Sequence, residues 1–421
     1  MTPPFSLQTA RRWLASFEVI AYRWLWLAHG LYVVSLTMHR LVLGWLVLEL
    51  TDSAWWVGVA AAMDGVGKIL VGMFAGVLLD RRNKRSALIL SQLAFGAGAV
   101  LLGVLVAIGA APIAVVLAFA FALGGLDSIA PSAYNAITYQ VVGRARITNA
   151  SASNMFGFNA ARFVGGALIG RVLESWGVGP GYLLTGGFAL AGVLPLFAVS
   201  GTFRSEQAPE PFWRSLADGL RFSWRDRELR RVLGLSAVME LFAFSHFTMI
   251  PVLARDVLRV GAEGLGWLTA ASGIGAAVGT GALAMRGDLR RKGALMWGMC
   301  LAAALSLIAF AASPWYALSL VLAAVVGGLL AAYDTLMQAL VQLLTPDHVR
   351  GRVLSLYVLT FGFTSLGGYV AGSIAGVLGA PIAIGVGSGL VICYLVGLAN
   401  RIRLLQPAHV VEGVAADGER I

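Results

Sequence analysis

Apolar residues along this chain run in long blocks separated by short polar connections. Twelve such blocks fall near 25–48, 56–79, 86–108, 113–142, 149–173, 181–200, 231–254, 264–285, 293–312, 315–344, 350–378 and 381–400. Each is close to the ~20 residues a helix needs to cross ~30 Å of hydrocarbon. The pattern predicts an all-α integral membrane protein of twelve transmembrane helices. The fourth, tenth and eleventh blocks are long enough to tilt or to project into the cytoplasm.

Composition supports this class. Apolar residues make up 58% of the chain and charged residues 12%, and the mean hydropathy is +0.80. Soluble domains carry roughly 25% charged residues, so a large soluble core fits poorly. The positive charge then sets orientation. Arg11, Arg12, Arg81, Arg82, Lys84, Arg85, Arg144 and Arg146 lie on alternate connections, as do Arg286, Arg290, Arg291, Lys292, Arg350, Arg352, Arg401 and Arg403. The opposite face holds Arg171, Arg255 and Arg259, balanced by Asp52, Glu174, Asp256 and Glu263. Both termini are therefore expected in the cytoplasm, with the protein multi-pass in the plasma (inner) membrane. The net charge of +10 is mostly this positive-inside signal; it calls for anionic headgroups and not for nucleic acid. Cys300 and Cys393, both inside apolar blocks, imply neither a disulfide framework nor a metal site. Residues 1–16 are mixed in character, so no cleavable signal is expected there.

A polar connection from about 201 to 230 divides the chain into residues 1–200 and 231–400, six blocks each, with a tail at 401–421. Ser205 to Pro211 reads as linker. Phe212 to Arg231 alternates apolar residues with Arg and Asp at a helical period, which predicts a short helix along the cytoplasmic surface. Phe156-Gly157-Phe158 recurs as Phe361-Gly362-Phe363, and the basic turn Asp80 to Arg85 has a counterpart at Asp288 to Lys292. These echoes point to an internal repeat, a common plan of transporters.

On these residues the chain resembles the major facilitator superfamily. Gly76, Asp80, Arg81, Lys84 and Arg85 match its signature between spans 2 and 3, with Asn83 where glycine is usual; asparagine also tolerates a left-handed turn. The stretches Arg40 to Thr51, Asn159 to Gly170, Pro251 to Gly279 and Thr345 to Tyr357 are similar to the branch of the bacterial enterobactin exporter and related efflux permeases. Gly157, Gly165, Gly166 and Gly170 resemble the antiporter signature, with Gly166 in place of its proline. The resemblance implies two pseudo-symmetric six-helix halves around a central cavity, and a monomer. It also implies that the basic loop locks the cytoplasmic side in one state, through the end of spans 4 to 5 or the start of span 11.

Ionisable residues inside spans need a partner or a wet cavity. Arg40 and Asp64 both lie ~12 Å below the outer surface by helical rise, and Lys68 follows Asp64 by one turn. These three are either an ion-paired brace between helices or a gating network. Asp127 and Arg162 fall near mid-membrane on neighbouring spans. Glu240 lies ~14 Å from the cytoplasmic end of span 7 and Asp334 ~15 Å from that of span 10; the resemblance places both spans on the cavity. Two carboxylates at one pocket suit a proton carrier or a site for a cationic group, unless Arg162 or a backbone donor neutralises them. Asp334 is the expected proton carrier; His39 and His246 are either relays or packing residues.

The leading reading is a secondary transporter, a proton-coupled exporter of a small amphipathic compound such as a drug or siderophore, with no cofactor. An importer and a non-transporting membrane sensor are the alternatives. An enzyme is not expected: no Gly-x-Ser-x-Gly elbow, His-Glu-x-x-His pair or phosphate-binding loop occurs.

Overall fold

The computed structural model describes residues 15–81, 83–201, 203, 212–285, 292–346 and 349–399. Among them all regular structure is helical. The expected tail at 401–421, the linker residues 204–211 and the side chains of Gly76, Asp80 and Arg81 lie outside the described residues, as do Arg11, Arg12, Arg82, Arg286, Arg290 and Arg291.

In chain order the first helices are α1 (Ile20–Thr51), α2 (Ala54–Arg81), α3 (Lys84–Ala107), α4 (Ile113–Asp127 and Ile129–Val142), α5 (Ile147–Trp176) and α6 (Val178–Phe197). After α7 (Phe212–Arg225) come α8 (Arg227–Val257), α9 (Gly261–Met285), α10 (Lys292–Ala312) and α11 (Tyr316–Leu344). α12 (Arg350–Thr360 and Gly362–Leu378) and α13 (Ala380–Ala399) complete the chain. Among the described residues eleven helices are long and apolar enough to cross a membrane; α5, though 30 residues long, is not among them. Its N-terminal part and centre carry Asn149, Ser151, Ser153, Asn154, Asn159 and Arg162, which dilute its apolar character.

Two local expectations are corrected. The helix expected from Phe212 to Arg231 ends at Arg225, because Asp226 leaves helical geometry and accepts the Leu229 amide at 2.9 Å, starting α8. Asn83 is not left-handed: at φ −64 and ψ 118 it caps α3, its side chain accepting the Arg85 amide at 3.0 Å. A polar acceptor at this position satisfies an amide that the helix itself leaves orphaned.

Contacts divide the chain into two compact units. One comprises Met1–Asp52, Met63–Glu210 and Gly261–Ala270; the other comprises Ser53–Ala62, Pro211–Val260 and Ala271–Ile421. In the first, α1 packs on α5 and α6, and α3 on α6. The start of α1 is pinned to α5, where the Tyr22 hydroxyl donates to the Ala150 carbonyl at 3.0 Å and Trp26 Nε1 donates to the Ser153 carbonyl at 3.0 Å. In the second, α10 packs on α11 and α13. Small residues let backbones touch: a Cβ on Gly275 would stand 1.7 Å from the Ala324 carbonyl oxygen, and one on Gly279 2.2 Å from that of Gly328.

α8 departs from regular geometry. Met239–Phe244 and Leu253–Val257 are π-helical. Such widened turns insert an extra residue and re-aim the side chains around them.

Candidate functional site: buried charges in two helix clusters

In the first unit Lys68 sits between two carboxylates. Its Nζ is 2.6 Å from Asp64 Oδ2, one turn earlier on α2, and 3.4 Å from Asp127 Oδ2 on α4. The crossing of these helices depends on glycine: a Cβ on Gly124 would stand 2.2 Å from the Asp64 carbonyl oxygen, and one on Gly67 2.0 Å from that of Phe121. The Tyr32 hydroxyl on α1 donates to Asp127 Oδ1 at 2.9 Å. His39, two turns further along α1, places Nε2 3.9 Å from Asp64 Oδ1, beyond hydrogen-bond length.

Arg40 does not complete this cluster. Its side chain is exposed, and Asp64 pairs with Lys68 instead, although the Arg40 charge is near enough to act on Asp64 and His39. Depth alone made Arg40 and Asp64 level; Lys68, one turn along on the same helix, takes the direct ion pair. Arg162 is half-buried and has interactions of its own, while Asp127 is held by Lys68 and Tyr32.

The second unit gathers Glu240, Asp334, Tyr357 and Thr364. Glu240 is buried in the first π-helical segment, and Thr364 on α12 donates its hydroxyl to Glu240 Oε2. Tyr357 donates to Asp334 Oδ1 at 3.3 Å. The charges of Glu240 and Asp334 are near enough to repel one another. Gly367 allows this approach, since a Cβ there would stand 1.9 Å from the Leu241 carbonyl oxygen inside the π segment. Tyr333, fully buried, packs its ring 6.3 Å from Phe244. His246 turns its Nδ1 to the Ala243 carbonyl at 2.6 Å.

Of the basic loop, Lys84 is buried, and Arg85 reaches the end of α6. There Nε donates to the Leu196 carbonyl at 2.8 Å and Nη2 to that of Phe197 at 3.0 Å. A cation on terminal carbonyls is the arrangement a helix C-terminus favours. In the glycine motif of α5, Gly165 faces the Val34 carbonyl, Gly157 faces the Trp26 ring, and Gly166 and Gly170 meet Gly266. Its geometry is that of close helix packing.

Several residues here carried no assigned role in the sequence. Tyr32 was findable, seven residues before His39 and therefore on its face. Thr364 and Tyr357 had no such signal, because their partners come from other helices.

The model of the family described as transmembrane secretion effector matches residues 12–412. The chain belongs to this family of the major facilitator superfamily. Among curated relatives, this facilitator is 26% identical over 385 residues to the enterobactin exporter EntS of Escherichia coli O1:K1 / APEC, covering 90% of this chain and 91% of the relative. It is 27% identical over 386 residues to EntS of Shigella flexneri, with the same coverage. The solved structure of the nucleoside transporter NupG superposes with a TM-score of 0.72 at 12% identity, covering 90% of this facilitator and 98% of that chain. A bacterial homologue of the human lysosomal transporter Spinster, solved inward-facing and unoccupied, gives 0.68 at 14% identity over 92% and 96%. These two likenesses concern the fold. As a facilitator the chain is a multi-pass membrane protein and a secondary transporter.

Proposed function

We propose that the chain exports a small amphipathic compound across the plasma (inner) membrane by alternating access, driven by proton entry. Supporting the direction, its curated relatives bear the name of an exporter. In this reading α5 joins the eleven apolar helices as a twelfth span, residues 1–200 and 231–400 form two six-helix halves joined through 201–230, both termini are cytoplasmic, and the working unit is a monomer.

The observation that carries the coupling is the placement of Glu240. It is a buried carboxylate, held by a threonine hydroxyl within a π-helical turn, and within reach of the Asp334 charge. Mutual repulsion favours one proton, or one cationic group of a substrate, shared at this pair. Asp334 is the assigned carrier and Glu240 its partner. Asp127, Arg162, His39 and Arg40 belong to the first-half side of the pathway, with Asp64 and Lys68 as the brace beneath it. Gly76, Asp80, Arg81, Lys84 and Arg85 act as the cytoplasmic latch. Gly157, Gly165, Gly166 and Gly170 act as the close-packed surface on which α5 moves.

Inside-out vesicles with an imposed proton gradient and a pH-sensitive dye test this. A panel of siderophores and cationic drugs should contain a compound that dissipates the gradient in wild type and not in Asp334→Asn. If that compound dissipates it equally in both, Asp334 is not the carrier. If folded protein responds to no compound, the proton-coupled export reading fails, and import or a sensing role replaces it.

A further inference from the structure

We infer a second proton-binding site, in the first unit, formed by His39 and Asp64 and separate from Glu240 and Asp334. His39 is 1% exposed and Asp64 8%. Neither ring nitrogen of His39 has a hydrogen-bond partner among the described residues, nor does Asp64 Oδ1. Leaving a buried polar atom unpaired is costly, so three at one place call for an explanation. The two facing atoms, His39 Nε2 and Asp64 Oδ1, are 3.9 Å apart. One proton on Nε2 and a closure of about 1 Å would turn both orphans into a single charge-assisted hydrogen bond.

Charge points the same way. On α2 and α4, Asp64 and Asp127 face the one ammonium of Lys68. Tyr32 on α1 donates to Asp127, Arg40 acts from its exposed position on α1, and α6 adds the Tyr182 hydroxyl, itself buried and unpartnered. From α3 comes the edge of the Phe95 ring, 5.5 Å from His39. Asp64 and Asp127 thus share the ammonium of Lys68, with Arg40 acting from its exposed position, and a proton on His39 gives Asp64 a second, directly facing partner. That proton draws Asp64 toward His39 and loosens its hold on Lys68, which has Asp127 within reach at 3.4 Å. Proton binding at His39 thereby selects which carboxylate keeps the lysine.

The test reads the proton directly. Full-length protein labelled with 15N-histidine gives five side chains to resolve, and His39→Gln assigns the one that matters. His39 should convert from imidazole to imidazolium within the stable pH range. Asp64→Asn should weaken its proton affinity at least about tenfold, as loss of a neighbouring carboxylate does, while Asp334→Asn leaves it unchanged. Should Asp64→Asn disturb the fold, Lys68→Gln provides the second reading, strengthening the His39 proton. A His39 that stays neutral throughout, or that titrates identically in Asp64→Asn and Lys68→Gln, overturns the proposal. Because no transport is measured, this result is independent of whether Asp334 carries a proton in vesicles.

Discussion

The carboxylate of Glu174, at the end of α5, accepts the backbone amide of Ala262 at 2.9 Å in the first turn of α9. It also lies 3.4 Å from the Glu263 amide, and Arg171 pairs with the Glu263 side chain at 3.0 Å. A negative charge from one helix thus caps another, where orphan amides and the helix dipole both favour it. Glu174→Ala is expected to cost about 0.5–2 kcal/mol, the usual loss for removing a cap. Thermal unfolding in detergent checks this.

The same pair of helix ends offers a cross-link. With Cys300 and Cys393 replaced by serine, Arg171→Cys combined with Glu263→Cys should form a disulfide under mild oxidation. If the proposed alternating-access cycle opens this contact, oxidation should stop transport and reduction restore it. Undiminished transport by fully cross-linked protein would show that the contact stays closed through the cycle.

Lys68 stands between two buried carboxylates, and its removal leaves Asp64 without its ion-pair partner and Asp127 held by the Tyr32 hydroxyl. Lys68→Met should destabilise the protein by about 3–5 kcal/mol, as loss of one partner from a buried ion pair does. The triple variant Lys68→Met, Asp64→Asn, Asp127→Asn should recover most of that loss, because no isolated charge remains. Comparing unfolding midpoints of the single and triple variants decides it.

Two glycines of α9 give opposite expectations. Gly275→Ala drives a methyl to within 1.7 Å of the Ala324 carbonyl oxygen, whereas nothing lies within 4 Å of a Cβ on Gly281. Gly275→Ala should cost about 1–3 kcal/mol through overpacking. Gly281→Ala should be neutral or stabilising by up to about 1 kcal/mol, since alanine favours the helix. Equal melting temperatures for the two variants would contradict the close crossing of α9 and α11.

Arg85 joins α3 to the last carbonyls of α6. Arg85→Ala should destabilise by about 1–2 kcal/mol, in keeping with hydrogen bonds from a charged donor. Arg85→Lys should recover only part, because an ammonium lacks the planar fork that reaches two carbonyls together. A transport defect in Arg85→Ala without any stability loss would instead assign the residue to a latch alone.

Much of the fold was legible from one dimension. A blocked apolar pattern dictates spanning helices, because the bilayer leaves no other way to satisfy backbone groups. Motifs scattered from Arg40 to Tyr357 pointed to the superfamily. Helical rise converts sequence position into depth, so Asp64, Asp127 and Glu240 were legible as buried charges and Asp334 as a half-buried one. What rise does not supply is the angle at which each side chain leaves its helix, or which neighbour it meets. That was decided by packing: Gly67 and Gly124 bring α2 against α4 and give Lys68 to Asp127, while Arg40 stays exposed. The π turn at Met239–Phe244 and the contact of Thr364 with Glu240 depend likewise on Gly367 meeting Leu241 across helices. Depth is a local property of the chain; pairing belongs to surfaces that meet only once the helices are packed.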